Sequence, residues 1–392
     1  MSGELPLADL RVVALEQAVA APFCTRQLAD LGAEVIKIER PDGGDFARDY
    51  DGDMRGLSGH FVWLNRGKRS VVLDLKSAAG RAALGRLLAR ADVFVHNLGP
   101  GAIERLGYGY EASRAVNPGL IWCGISGYGP DGPYRDKKAY DLLLQGEAGT
   151  ISVTGTPDAG AKVGVSVGDI GAGLHASTAI LAALHGRARS GRGERIDIAM
   201  LECLVEWATP ALYHWLGAGK VVARAGQRHA LIVPYGVYAC ADGAVNFAIQ
   251  NDGQWRRFCA GVLGDPALAD DPRYTANPLR RANRADLEAH VEAIFVGRAV
   301  AEVVAALDAA DIPNGRVNDV PGVVDHPQLQ ARGRWAEVAS PVGPLPALLP
   351  PHNLAGAPSA MGAIPALGEH TSAVLAELGY SDEEIAALLP SW

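Results

Sequence analysis

The stretch LRVVALEQAVAAPFCTRQLADLGAEVIKIE (10–39) decides the fold class. It contains two apolar, strand-like runs, LRVVAL (10–15) and EVIKIE (34–39), with a helical pattern over 23–31 between them. Three further apolar runs, again separated by helical stretches, repeat this alternation: SVVLDL (70–75), DVFVHN (92–97) and LIWCGIS (120–126). Because strands that alternate with helices at this spacing are typical of parallel sheets with crossover helices, we predict an α/β fold.

Composition narrows the class of protein. The 392 residues allow two or three domains, and 48% hydrophobic with 20% charged residues is typical of a soluble globular enzyme. The net charge of −8 argues against a nucleic-acid partner. No uninterrupted apolar run reaches the roughly 20 residues of a membrane span, and the N-terminus lacks signal-peptide features. Five cysteines without CxxC spacing predict reduced thiols and a cytoplasmic location.

The character of the sequence changes near residue 217, where a Gly- and Arg-rich stretch begins. A β-hairpin is predicted over 235–250, and helical patterns follow it at 252–263, 279–297 and 299–310. We therefore divide the chain into three segments: an α/β domain over 1–217, a smaller α+β domain over 218–330 and a C-terminal segment over 331–392.

A single aspartate, Asp169, stands out in the run KVGVSVGDIGAGLHASTAILAALHG (162–186). The apolar alternation of Val163–Val167 predicts a strand that stops at Gly168, and a long apolar helix pattern starts near Gly171. A carboxylate between a strand end and side-chain-free glycines lies where a ligand and the backbone can approach closely. This placement suits a carboxylate nucleophile that forms a covalent acyl intermediate. The alternative is an aspartate that only caps the helix.

The same run permits a different function. Gly171 to Ala176 fits the pattern G-x-G-x-x-[GA], and Glu194 follows at the distance of a ribose-binding acid. An NAD(P)-binding oxidoreductase is therefore an alternative of another class, although this motif lies in mid-chain after five predicted strands. No P-loop, HExxH or paired-Cys motif is present, so we predict neither a P-loop nucleotide site nor a metal site.

Basic and amide side chains recur near the predicted strand ends. These residues are Lys37, Arg40, Lys68, Arg69, Lys76, Asn97, Arg105, Lys137 and Lys138. Open α/β sheets bind ligands at the carboxyl ends of their strands, and cations with a Gly-Pro-Gly turn (99–101) suit phosphate groups. The sequence therefore predicts a phosphate-bearing ligand at this edge.

Several ordered segments resemble the class III CoA-transferase family, which includes formyl-CoA:oxalate, carnitine and bile-acid CoA-transferases and the α-methylacyl-CoA racemases. The resemblance runs nearly from end to end. Its segments are QAVAAP (17–22), LGAEVIKIERPDGGD (31–45), NRGKRSVVLDLKSAAG (65–80), HNLGPGAIERLGYGY (96–110), GISGYGPDGPY (124–134), the Asp169 run, GRGERIDIAMLE (191–202), DIPNGRVNDV (311–320) and LGEHT (368–372).

The resemblance implies a fold and a set of site residues. It implies a Rossmann-like large domain built from both chain ends, with 331–392 returning to it, a smaller domain between, and two subunits interlocked as a homodimer. Asp169 matches the catalytic aspartate. Positions that match the CoA-binding residues of the family are Gln17, Ala18, Arg40, Leu73, Lys76, Asn97, Leu98, Gly99, Arg105, Lys138 and Tyr140.

The resemblance also implies a reaction. CoA would move from an acyl-CoA to a carboxylic acid through an aspartyl anhydride and an aspartyl-CoA thioester, with CoA as substrate and no permanently bound cofactor. A racemase-like enzyme is the alternative within the family, but that branch has a histidine where this chain has Tyr140, before Asp141. Tyrosine is a poor base near pH 7. Backbone amides beside Gly168 and Gly171 are the candidate oxyanion donors.

The choice of substrate rests on one segment. QRHALIVPYGVY (227–238) resembles the corresponding region of members that act on succinate and other short dicarboxylates, and it lacks the glycine run of the oxalate branch. Arg224, Arg228 and His229 are the candidates to pair with the distal carboxylate, because Arg presents a bidentate fork. The sequence therefore predicts a succinyl-CoA:dicarboxylate transferase.

Overall fold

A computed structural model of the chain describes residues 5–389. The strands are β1 (Arg11–Leu15), β2 (Glu34–Glu39), β3 (Lys68–Val72), β4 (Val93–His96), β5 (Ile121–Ser126), β6 (Arg195–Ala199), β7 (Tyr235–Cys240), β8 (Gly243–Ala248), β9 (Asn314–Arg316), β10 (Trp335–Val338) and β11 (Leu345–Leu348).

The α-helices are α1 (Ala20–Asp30), α2 (Gly59–Asn65), α3 (Ala78–Leu88), α4 (Ala102–Arg105), α5 (Tyr110–Val116), α6 (Asp141–Glu147), α7 (Thr150–Val153), α8 (Val167–Ser190), α9 (Met200–Ala218), α10 (Asp252–Phe258), α11 (Asn277–Ala282), α12 (Arg284–Phe295), α13 (Val300–Ala309), α14 (Val320–Val324), α15 (Pro327–Ala331), α16 (Thr371–Glu377) and α17 (Asp382–Leu388). Short 3-10 helices cover Phe46–Asp49 and Pro266–Asp270, and a π-helical turn covers Cys259–Leu263.

Six strands form a parallel sheet in the order β3-β2-β1-β4-β5-β6. This is the order of doubly wound, Rossmann-like sheets, in which the chain reverses its direction of winding between β1 and β4. The five predicted strand runs are β1 to β5, so the α/β prediction is confirmed. The sixth strand, β6, was missed because Arg195 and Asp197 interrupt its apolar pattern at the exposed edge of the sheet.

Helices cover both faces of this sheet. On one face α1 packs against α8, and their apolar side chains join those of the strands in one core. On the other face, α3 and the C-terminal helices α16 and α17 contribute to a second core. Both layers leave the carboxyl ends of the strands open, which is where ligands bind in such folds.

The chain divides into two compact units. The first comprises 5–150, 163–209 and 331–389 of the described residues and holds the parallel sheet. The second comprises 151–162 and 210–330 and holds the antiparallel sheet β7-β8-β9 with α10 to α13 around its own core. The hairpin predicted over 235–250 is β7 and β8. The boundary that we expected at residue 217 falls inside α9, which contributes residues to both units.

Two local predictions were wrong. Val163–Val167 is not a strand, because Gly164 and Val165 are exposed and no neighbouring strand pairs with the segment among the described residues. As a consequence the following helix, α8, begins at Val167 rather than near Gly171.

By length and by a mean hydropathy of 1.3 over 18 residues, α8 alone among the described helices meets the criteria for a membrane span, a test that core helices of soluble proteins also pass.

Candidate active site

Asp169 lies in the first turn of α8 and is half-buried. A helix N-terminus ordinarily favours a negative charge. Here burial is the larger effect, and together with the nearby Asp141 carboxylate it raises the pKa of Asp169 to about 7. A carboxylate that keeps its proton up to neutral pH is more basic than an ordinary aspartate. Perturbed groups of this kind are typical of functional sites.

Asp141 explains both the start of α8 and part of this shift. It begins α6, and its Oδ1 atom accepts hydrogen bonds from the Gly168 amide at 2.7 Å and from the Asp169 amide at 3.4 Å. Its Oδ2 atom accepts from Gln145 Nε2 at 2.7 Å. The Gly168 amide is therefore occupied, and Gly171 is the fifth residue of the helix, past the amides that a helix start leaves free. These two amides are therefore not free for oxyanion binding, and the role of an amide beside them stays a prediction.

The glycines of this run permit close packing. A Cβ atom on Gly173 would lie 2.7 Å from the Ala20 carbonyl oxygen of α1, and one on Gly171 would lie 3.2 Å from the Trp207 ring. Both glycines lie inside α8, whereas a dinucleotide fingerprint spans the turn from a strand into a helix. The dinucleotide interpretation of Gly171 to Ala176 is therefore wrong.

The turns that follow β1 and β4 meet at the point where the sheet reverses its winding. The Gln17 amide donates to Asn97 Oδ1 at 2.9 Å, and Asn97 Nδ2 donates to the Gln17 carbonyl at 2.8 Å. Ala18 packs, as Ile170 of α8 does, against the apolar cluster of Val19, Phe23 and Leu64. This part of the predicted CoA-binding set therefore lies beside the first turn of α8.

Tyr50 connects Asp169 with two neighbouring segments. Burial, and then the neighbouring side chains of Asp45, Asp169 and Tyr140, raise the pKa of the Tyr50 phenol. These side chains therefore lie within electrostatic range of one another. Tyr140 is 74% exposed and precedes α6, so it is accessible to a ligand. Sequence reasoning missed Tyr50, because nothing in its local pattern distinguishes it from a loop tyrosine.

The remaining predicted CoA-binding residues lie after β2, β3, β4 and β5. Lys76, Gly99, Arg105 and Lys138 are exposed. Arg40 is 40% exposed, donates to the Gly44 carbonyl at 2.7 Å and stacks on the Phe46 ring at 4.6 Å. Leu98 is half-buried. Leu73 is only 1% exposed and belongs to the core, and its amide donates to the Glu39 carbonyl at 3.0 Å.

Two of the predicted strand-end cations do not face solvent. Lys37 and Lys68 are fully buried, and both contact the Glu16 carboxylate, at 3.3 Å and 2.6 Å. Arg69 pairs with Glu34 and Glu377 at the other end of β3. The expectation that these three would bind phosphate was wrong, because their carboxylate partners come from distant parts of the chain.

The three candidate substrate residues lie in the second unit. Arg224 donates to the backbone carbonyls of Thr156 and Pro157 at 2.8 and 2.9 Å. Arg228 pairs with Glu288 and Glu292 and stacks on the Tyr238 ring at 3.5 Å. His229 Nδ1 accepts from the amides of Leu231 and Ile232 at 3.1 and 3.0 Å. Each side chain thus has partners within its own unit.

No metal site is formed by the part of the chain that the structure describes: within 5–389, three or more His, Cys, Asp or Glu side chains nowhere converge as ligands. The five cysteines are buried and unpaired.

Comparison with known proteins agrees with this geometry. A family model described as CoA-transferase family III matches residues 7–371. A succinate–glutarate CoA-transferase from Agrobacterium fabrum is 37% identical over 384 residues, covering 95% of this chain and 96% of that protein. A succinyl-CoA:mesaconate CoA-transferase from Haloarcula marismortui is 35% identical over 391 residues, with coverages of 95% and 96%. The crystal structure of a CAIB/BAIF family protein from Brucella suis matches with a TM-score of 0.86 and 36% identity, covering 96% of this chain and 100% of that one.

Proposed function

Because this chain belongs to CoA-transferase family III and is an enzyme that transfers CoA, we propose that it moves CoA from succinyl-CoA to a short dicarboxylic acid by covalent catalysis on Asp169. The observation that carries the proposal is the half-buried carboxylate of Asp169 in the first turn of α8, beside Asp141, with a pKa raised to about 7. A more basic carboxylate is a better nucleophile, and at neutral pH a large fraction of it is ionised.

The proposed reaction proceeds in four balanced steps. The Asp169 carboxylate attacks the thioester carbonyl, which forms a mixed anhydride and releases the CoA thiolate. The thiolate attacks the aspartyl carbonyl, which gives an aspartyl-CoA thioester and free succinate. The acceptor carboxylate attacks that thioester, forming a second anhydride and releasing the thiolate again. Attack of the thiolate on the acceptor's carbonyl yields the new acyl-CoA and regenerates Asp169.

The proposed CoA site is the edge formed by the segments after β1 to β5. Exposed Lys76, Arg105 and Lys138 are available to the phosphates, since none of them is buried as Lys37 and Lys68 are. Gln17, Ala18 and Asn97 lie next to α8 and are the proposed contacts nearest the thioester. The other proposed contacts are Arg40, Leu73, Leu98, Gly99 and Tyr140.

The choice of a dicarboxylate is supported by relatives whose names specify succinate with glutarate and succinyl-CoA with mesaconate. Arg224, Arg228 and His229 remain the proposed contacts of the distal carboxylate. Any such contact would have to add to, or exchange with, the partners that these residues already hold. The test is a panel of glutarate, mesaconate, itaconate, malate and butyrate, in which the monocarboxylate should be the poor acceptor.

We also propose a cytoplasmic homodimer with interlocked subunits. Buried, unpaired thiols at all five cysteines suit a reducing compartment. In the second unit Tyr213, Trp215 and Leu216 of α9 are 67%, 59% and 76% exposed, an apolar face that a second copy would cover. Sedimentation velocity of the wild-type chain tests this: an interlocked dimer should persist on dilution, because its subunits cannot separate without unfolding, and a monomer would refute the proposal.

The covalent mechanism is tested by intact-protein mass spectrometry. The protein is mixed with succinyl-CoA and quenched with hydroxylamine, which traps an activated aspartyl group as a hydroxamate. The adduct is expected at Asp169 and should be absent from Asp169→Asn, which keeps the size of the side chain. An adduct elsewhere, or none with any acyl-CoA of a panel, would refute the mechanism. Deuterium uptake at the α-carbon in D2O without an acceptor would instead favour a racemase.

A further inference from the structure

Ala18 has a backbone conformation that is unusual for its residue type. Its φ is +60°, in the left-handed region that L-residues with a Cβ rarely adopt. Its amide donates to Asp45 Oδ1 at 2.9 Å, and the residue before it, Gln17, is held by Asn97 through both its amide and its carbonyl. A non-glycine residue keeps such a conformation only where its surroundings impose it, and such positions cluster at ligand sites.

The Asp45 carboxylate is buried and has no freedom to turn. Its Oδ1 atom accepts from the amides of Ala18 and Ala47, both at 2.9 Å, and its Oδ2 atom accepts from Lys37 Nζ at 2.7 Å. Its own amide donates to Glu39 Oε1 at 3.0 Å. These hydrogen bonds therefore fix the orientation in which the Asp45 carboxylate accepts from the Ala18 amide.

Lys37 is a fully buried lysine within β2. Burial favours its neutral form, but the carboxylates of Glu16, Asp45 and Glu39 outweigh it and raise the pKa of Lys37 above its ordinary value. The ammonium is therefore charged when it contacts Asp45. Buried ion pairs are often no more stabilising than apolar side chains of the same size.

We infer that Asp45 is a positioning residue for CoA. An Asp45 oxygen holds Ala18 in the left-handed conformation that shapes the Gln17–Ala18 turn where the sheet reverses its winding, and Lys37 compensates the charge of the buried carboxylate. This inference rests on the proposed function, in which that turn contacts CoA. It adds that the turn is imposed by a buried oxygen of Asp45 that does not itself touch the ligand.

The test compares two double variants that carry the same charge. Lys37→Met/Asp45→Asn removes the ion pair but keeps an oxygen that can accept the Ala18 amide, whereas Lys37→Met/Asp45→Ala removes that acceptor too. Neither leaves a buried unpaired charge. The dissociation constant for CoA, measured by calorimetry, should stay within about threefold of wild type in the first and rise about tenfold in the second. Lys37→Met/Asp45→Thr, whose hydroxyl is too short to reach, replaces the alanine variant if that one does not fold.

Adding Ala18→Gly to the second variant shows whether its loss of CoA affinity comes from the conformation of residue 18 or from a general loss of structure. Glycine adopts φ +60° without an anchor, so about threefold or more of the lost affinity should return, although the Ala47 amide still lacks its acceptor. Equal CoA affinity in the two folded double variants would overturn the inference, and so would failure of glycine to restore binding. If the wild-type protein itself does not bind CoA, the proposed function fails, and this inference with it.

Discussion

The Asp141 carboxylate accepts a hydrogen bond from the Gly168 amide at 2.7 Å, at the N-terminus of α8. The side chain of Asp169 belongs to the same helix turn, so two carboxylates lie at one helix terminus. The amides that would ordinarily lower the pKa of Asp169 are thus shared with Asp141, whose charge raises it instead. The arrangement holds the proposed nucleophile at a basicity suited to neutral pH, at some cost to folding.

Because burial of Asp169 opposes its ionisation in the folded chain, we expect Asp169→Asn to be more stable than wild type by an amount that depends on pH. The pKa of Asp169 is about 7 in the folded chain, against an ordinary value of 3.8. Between these values the unfolded chain loses a proton that the folded chain keeps, so stability falls as pH rises through this window. The advantage of Asp169→Asn over wild type should therefore grow by about 2 kcal/mol between pH 5 and pH 8 in denaturant titrations. The exposed loop variant Asp131→Asn should show no such growth, and a constant difference at all pH values would contradict the prediction.

For Asp141→Asn we expect a shift in the dependence of kcat/KM on pH. The amide oxygen can still accept from Gly168, but the charge that raises the pKa of Asp169 is gone. The acidic limb of kcat/KM against pH should move to lower pH by about one unit. Glu147→Gln removes an exposed carboxylate from the same helix and serves as the control, with an unmoved limb. An unmoved limb in Asp141→Asn would mean that Asp169 is not the group that titrates.

Strands β1 to β5 of the parallel sheet could be predicted from the sequence, whereas the buried ion pairs of Lys37 and Lys68 with Glu16 could not. Strands β1, β4 and β5 are largely apolar because both faces of a parallel sheet are buried, and β2 and β3 keep apolar residues beside their charged ones, so the sequence marks all five. The Val163–Val167 run has the same apolar alternation but is exposed in part, since nothing in its own residues reports the absence of a neighbouring strand.

The family was predictable because ordered motifs carry it, and the comparisons confirm it. The catalytic role of Asp169 came from the same segments and stays a prediction. Lys37 and Lys68 were expected to bind phosphate, and their burial depends on Glu16, more than 20 residues earlier in the sequence. The influence of Asp141 on Asp169 likewise depends on the packing of α6 against the start of α8, which no local pattern encodes.

Gly173→Ala should destabilise the protein through helix packing rather than through the site. The added Cβ would lie 2.7 Å from the Ala20 carbonyl oxygen and 3.0 Å from the Phe23 ring, so α1 and α8 must separate. We expect a loss of about 2 kcal/mol in denaturant titrations. Gly186→Ala lies on the same helix, where a Cβ meets nothing within 4 Å, and should stabilise by about 0.5–1 kcal/mol. Equal effects of the two changes would mean that the helices do not pack this closely.

Asn97→Ala should weaken acyl-CoA binding more than it weakens the fold. The change removes both hydrogen bonds that hold the Gln17 peptide groups at the point where the sheet reverses its winding, and it frees the turn that the proposed ligand contacts. We expect KM for the acyl-CoA to rise about tenfold, with kcat at saturation within about twofold, in steady-state assays.

Asn117→Ala is the matched control for that prediction. Asn117 also joins backbone groups through its amide, accepting from Gly119 and donating to the carbonyls of Leu88 and Ala91, but it lies before β5, away from the carboxyl ends of the strands. It should lower the melting temperature about as much as Asn97→Ala and leave KM unchanged, because its bonds do not shape the turn. If both variants raise KM alike, the Asn97 effect is a general loss of stability. If only Asn97→Ala does, the Gln17 turn is part of the CoA site.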